Sequence, residues 1–173
     1  MKFYLKLTFC IGWFVTYGWL LWLRPFWWLT FMLGIPVCVW LACWCHELGH
    51  LFAYRLWKLV WKRMAVGWFV LKRGKGLHLD RHRPLWQAGC TCAYDPDIPV
   101  WRYGIALLSG GLCTLLLCIG AMTAVYFTSG GIKAFLLCFG GICGVNAGWN
   151  LLLPMSADRI LLRQIKDERE KIV

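Results

Sequence analysis

Long uncharged apolar runs, separated by short polar stretches, set the pattern of the chain. The first run covers 7–23, follows Lys2 and Lys6, and is stopped by Arg24-Pro25. The second covers 28–57 and is apolar except for His46, Glu47, His50 and Arg55. Two more occupy 103–127 and 132–153. Each approaches or exceeds the roughly 20 residues that a membrane-crossing helix requires. The first run resembles the front of a signal peptide. No small-x-small cleavage site follows it and further spans do, so it reads as a retained span. Thr128-Ser129-Gly130-Gly131 is a short link, so it predicts that the last two spans pack antiparallel.

Between the second and third runs lies a basic segment over 58–102. Its stretch 64–71 is rich in Val, Trp and Phe, and Lys72-Arg73-Gly74-Lys75-Gly76 supplies a turn. Leu77-His78-Leu79 then returns as a second strand, which predicts a hairpin at the membrane surface. A further extended stretch is expected from Trp86 to Tyr94. In the tail over 158–173, Ile160, Leu161, Leu162 and Ile165 alternate with charges, the pattern of a short amphipathic helix on the membrane surface. The expected fold is therefore an all-α polytopic membrane protein. It has about four transmembrane helices and a small β-hairpin loop, in one membrane-embedded domain over 1–173.

Composition agrees with that pattern. Of 173 residues, 60% are hydrophobic and only 16% charged, against about a quarter charged in a soluble domain. The net charge of +11 follows the ends of the spans, and no stretch reads as a nucleic-acid module, so nucleic acid is not an expected partner. With the N-terminus inside, 17 Lys and Arg fall on the inner side and only Arg24 and Lys133 on the outer side. This bias predicts cytoplasmic termini, a cytoplasmic loop 58–102 and a cytoplasmic tail. The Trp residues at 19, 22, 27 and 28 mark a membrane interface. Eight of the ten Cys lie in apolar stretches, and Cys90 and Cys92 lie in the loop, so no disulfide framework is expected.

One turn carries candidate chemistry: His46-Glu47-Leu48-Gly49-His50. On a helix, positions i and i+4 share a face, so two imidazoles there can bind one Zn²⁺. Glu47 stands beside them, able to take a proton from a water that the metal polarises. Three ionisable side chains on one turn of a membrane span are costly, which argues for a compensating role. A catalytic zinc needs a third protein ligand. Asp80, Asp95 and Asp97 lie in the loop, Asp167, Glu168 and Glu170 in the charged tail, and Asp158 alone near the end of the fourth run. His46 lies about 27 Å along the second span, and Asp158 about 39 Å along the fourth, against a core of about 30 Å. A bend at Pro154 would draw the Asp158 carboxylate back toward the two His.

These motifs resemble the site-2 protease family of intramembrane zinc metalloproteases, over roughly 35–161. That family carries HExxH on one span and Asn, Pro and Asp followed by Gly on a later one. Here Asn150, Pro154 and Asp158 stand in that order, with Pro154 one place late and Arg159 where the Gly would be. Ser109-Gly110-Gly111 is similar to the family's small-residue motif, with Gly111 and Thr114 where Pro and Asn are common. The resemblance implies that Asp158 is the third zinc ligand and that Asn150 holds the substrate or the developing oxyanion. It also implies that the loop hairpin presents the substrate as an added strand. A membrane-inserted peptide or protein would be cut near the cytoplasmic leaflet, within a bacterial cell membrane, under the control of a regulatory membrane partner or of prior cleavage.

Competing readings are weaker. Asn150 and Asn146 also suit helix-to-helix hydrogen bonding. His78 and His82 are spaced by four, but in a loop read as extended they do not share a helical face. Cys43 and Cys45 point to different sides of a helix, and Cys90 and Cys92 alone do not make a zinc site. A catalytically degenerate module that holds a client transmembrane segment would share the same fold. A transporter would distribute its ligands across the bilayer rather than near one leaflet.

Overall fold

The computed structural model describes residues 2–23, 27–84 and 87–170. It is mostly helical with one small antiparallel sheet. The elements run α1 (Lys2–Leu23), α2 (Trp27–Leu56), β1 (Trp61–Val66), β2 (Phe69–Lys72), β3 (Gly76–Leu79) and β4 (Ala88–Cys92). They continue with α3 (Val100–Ala124), a 3₁₀ turn (Val125–Phe127), α4 (Gly130–Leu152) and α5 (Ala157–Glu170). Among the described residues, three segments are long and apolar enough to cross a membrane: Phe31–Leu56, Val100–Phe127 and Gly130–Asp167. The expected first span lies within α1, whereas its Arg24-Pro25 stop falls outside the described residues, as do the side chains of Lys2, Lys6, Trp22, Trp27 and Trp28.

Helices α2, α3 and α4 pack against one another as the central bundle. Small residues make this close approach feasible, as they do where lipid supplies no hydrophobic drive between helices. On α3 the buried positions include Ala106, Gly110, Gly111, Thr114 and Ala121. On α4 they include Gly131, Ala134, Gly140, Cys143 and Ala147. Helix α1 leans on α2 through Trp13, whose Nε1 donates to the Leu33 carbonyl at 3.2 Å, and through Phe14, whose ring lies 5.2 Å from that of Trp40. Tyr17 sits over Gly34 there, in the space that a Cβ would take.

The loop exceeds the expected hairpin. Its four strands form a sheet in the order β3-β2-β1-β4. The apolar stretch 64–71, read as one strand, is split by a two-residue turn that pairs Val66 with Phe69. Gly67 opens that turn at φ 57°, a conformation that glycine adopts without steric cost at the first central position of a tight hairpin. Continuous hydrophobicity hid the turn, because Met64, Ala65, Val66, Trp68 and Val70 are all buried. Phe69 packs its ring at 6.0 Å from Trp40 and 6.1 Å from Trp44, so the sheet lies alongside α2 rather than beyond its end.

The junction of sheet and bundle is the main core, with Leu51, Tyr54, Leu59, Met64, Cys90, Tyr103, Leu107 and Ile165 among its members. Helix α2 ends there through the Leu59 N–H on the Tyr54 carbonyl (2.8 Å) and the Lys58 N–H on the Arg55 carbonyl (3.2 Å). This paired C-cap puts Lys58 in the left-handed region at φ 57°. Tyr103 fixes the start of α3, since its hydroxyl accepts the Asp95 N–H at 2.9 Å and donates to the Ala93 carbonyl at 3.4 Å. Its ring is fully buried. Tyr103→Phe is expected to cost about 1–2 kcal/mol by stranding those two backbone groups, read as a lower thermal midpoint of the purified protein.

The fourth apolar run ends where expected, with α4 stopping at Leu152, and the tail helix α5 follows after a short break. Leu153 is extended (φ −82°, ψ 128°), as the residue before a proline prefers to be. The chain re-forms a helix at Ala157. Asp158 therefore stands in the first turn of α5, beyond the end of α4.

Candidate metal centre

Helix α2 places His46 and His50 one turn apart, both buried. Their Nε2 atoms are 3.1 Å apart. The break after α4 turns Asp158 toward them, with Oδ2 at 3.4 Å from His46 Nε2 and Oδ1 at 3.4 Å from His50 Nε2. The residue pairing that the sequence left open is thus present in space. Among the described residues, His46, His50 and Asp158 are the one group of three whose ligand atoms all lie within 4.8 Å of one another. A tetrahedral zinc with ligands at about 2.0–2.1 Å sets those ligands roughly 3.3–3.4 Å apart, so the spacing fits.

The protonation pattern fits as well. His50 Nδ1 lies 2.9 Å from the Ala106 carbonyl. A carbonyl only accepts, so the ring N–H belongs on Nδ1 and the lone pair of Nε2 faces His46 and Asp158. Such a carbonyl behind a metal-binding imidazole fixes both tautomer and ring orientation. Two further buried atoms lack a hydrogen-bond partner, His46 Nδ1 and Glu47 Oε2. Unpaired polar atoms in one buried cluster are expensive unless an ion or substrate uses them. The donor set of two imidazoles and one carboxylate is one that catalytic zinc adopts.

Room for the two rings is made on α3. A Cβ at Gly110 would lie 2.6 Å from His50 Nε2 and 2.8 Å from His46 Cε1. On the opposing helix, a Cβ at Gly49 would lie 2.8 Å from the Ser109 carbonyl and 3.1 Å from Gly110 Cα. Gly49, inside the HELGH turn, and Gly110 are therefore two halves of one close crossing. Ser109 reinforces it by donating its hydroxyl to the Gly49 carbonyl at 3.0 Å. The Ser109-Gly110-Gly111 motif pointed to this region, although sequence alone did not connect it to Gly49.

The sheet reaches the site through β4. Cys90 on this strand lies near enough for the Glu47 charge to act on it. Burial first, and that charge second, push the Cys90 thiol up to about 12. Burial raises Cys92 too. Both stay protonated at neutral pH.

Asn150 stands apart from the three ligands in its bonding. Its amide donates within α4, to the Asn146 carbonyl at 3.0 Å and to Asn146 Oδ1 at 3.2 Å. Asn146 Oδ1 also accepts from Thr114 Oγ1 of α3 at 3.4 Å. His78 lies on β3 and His82 in the turn after it. Asp95 caps the turn holding Asp97 through a 3.0 Å bond. The side chains of Glu168 and Glu170 fall outside the described residues.

No protein-family model, curated protein or solved structure matches the chain.

Proposed function

We propose that the chain is an intramembrane zinc metalloendopeptidase of the site-2 protease type, which hydrolyses peptide bonds in a membrane-inserted peptide or protein. The convergence of His46, His50 and Asp158 beside the buried Glu47, whose Oε2 has no hydrogen-bond partner, carries this reading. His46, His50 and Asp158 would hold Zn²⁺. When bound, the metal supplies a Lewis acid that acidifies water and takes up charge on the substrate carbonyl oxygen. Glu47 is the proton carrier: its carboxylate takes a proton from the attacking water and delivers it to the leaving amine nitrogen. The Ala106 carbonyl holds His50 in the competent tautomer.

In this reading α1 is a fourth span, and the charge bias puts the termini and the sheet on the cytoplasmic side. The substrate class follows from the surroundings. A site within a lipid-facing helical bundle suits a client that arrives from the bilayer. Strand β4 is an edge of the sheet and packs on α2, the helix that carries Glu47. An opened client segment would pair there as an added strand, with its backbone carried past the carboxylate.

The engagement of Asn150 by Asn146 favours one other reading, a catalytically degenerate module that holds a client span without cutting it. Metal content separates the two. The purified full chain in detergent is expected to contain about one zinc per protein. Stripping with a chelator should abolish cleavage of a transmembrane test substrate, and added Zn²⁺ should restore it. Protein that carries no stoichiometric zinc, or cleavage that survives chelation, would overturn the protease assignment.

A further inference from the structure

The residue after the third ligand is Arg159, where the resembling family has glycine. We propose that Arg159 is a positioning residue for Asp158, latching the first turn of α5 to the end of α4 so that the carboxylate meets the two imidazoles. The proposal rests on the zinc-site reading.

The need for a latch begins with Pro154. The last carbonyls of any helix lack their N–H partners, and an extended Leu153 takes Met155 off the helical path that would have brought its N–H to Leu151. Asp158 is separated from α4 by this break, so the rigidity of the transmembrane helix does not by itself reach the ligand. Arg159 restores the connection, since its Nη2 donates to the Leu151 carbonyl. A charged donor on a free helix-end carbonyl is a stronger link than a neutral one.

Leu151 is itself well placed to transmit position. Its side chain abuts Gly111 of α3, where a Cβ would lie 2.9 Å from Leu151 Cδ2. The neighbouring Gly110 is the residue that gives the two His rings their room. A chain of contacts therefore runs from Asp158 through Arg159 and Leu151 to the stretch of α3 that the imidazoles lean on. The buried Ser156 adds a lesser tie, with its hydroxyl 3.4 Å from the Asn150 carbonyl and its own carbonyl accepting the Ile160 N–H at 3.0 Å. A glycine after the ligand would give the turn freedom. An arginine gives it a fixed anchor.

Electrostatics alone makes the opposite forecast, which gives the test a sign. A guanidinium beside a cation site repels the cation, so removing it should tighten metal binding if charge were its main effect. A positioning role predicts weaker binding. The experiment measures Zn²⁺ affinity of the full-length purified chain by chelator competition, with the absorption spectrum of the Co²⁺-loaded protein as a second readout. Arg159→Met keeps the apolar stem and removes donor and charge. It is expected to lower affinity about ten- to a hundredfold and to alter the Co²⁺ spectrum, while the metal-free thermal midpoint stays near wild type. Arg159→Lys, which keeps a donor of similar reach, should recover most of the affinity and the spectrum.

Unchanged or tighter binding in Arg159→Met would overturn the latch while leaving the metal site standing. So would an affinity loss that merely tracks a fall in the metal-free midpoint. Wild-type protein that takes up neither ion would overturn the metal site itself, and the latch with it.

Discussion

Glu47→Gln is expected to keep zinc bound and to reduce cleavage of a membrane-embedded substrate by about a thousandfold or more. The substitution is nearly isosteric, so the packing around a side chain that is 6% exposed should hold. It removes one capacity, the ability of the carboxylate to accept and return a proton. The ligands are other residues, so metal content should remain near one per chain. On the protease reading, membrane-embedded substrates should accumulate in cells carrying the variant, and quantitative proteomics of the membrane fraction would identify them. Turnover equal to wild type would remove Glu47 from the mechanism. A variant that also lost its metal would point to a structural role for the carboxylate.

Gly110→Ala should be almost as damaging, by a different route. One methyl group would be driven to 2.6 Å from His50 Nε2 and 2.7 Å from His50 Cε1. Neither atom can yield cheaply, because His50 is also held by the Ala106 carbonyl on the same helix as Gly110. Either α3 withdraws from α2 or both rings rotate out of register with Asp158. Metal affinity is expected to fall by at least about a hundredfold, with overpacking adding about 1–3 kcal/mol of destabilisation. Gly120→Ala on the same helix is the matched control. Nothing lies within 4 Å of a Cβ at that position, and alanine is the better helix former. Retained zinc in Gly110→Ala would show that the helices have slack at this crossing.

Much of this architecture was legible in the sequence because membrane insertion imposes a strong one-dimensional pattern. Lengths of apolar runs located α2, α3 and α4 to within a few residues, and the HELGH spacing placed His46 and His50 on one helix face, since helical periodicity converts sequence distance directly into direction. Pro154 announced the break. Three things stayed hidden. The Gly67 turn was masked because the residues leading into it, Met64, Ala65 and Val66, are all buried and lose the alternation that marks a strand. Membership of Asp158 in α5 depended on where the chain resumes its helix, which a proline alone does not specify. The partnership of Gly49 with Gly110 is a contact between helices far apart in sequence, and such pairings leave no local trace. Arg159 read as a departure from a motif until its bond to Leu151 gave it a place.

The division of the ligands between α2 and α5 has a temporal consequence. During synthesis His46 and His50 emerge early, while Asp158 follows only after the sheet, α3 and α4 have been made. A nascent chain therefore holds two-thirds of a metal site throughout the insertion of its later helices. Docking of α5 is the step that completes the ligand set, so on the proposed reading hydrolytic competence arrives last. On that reading the site would be unable to act on neighbouring polypeptides, or on unfinished copies of the chain, while the bundle is still open.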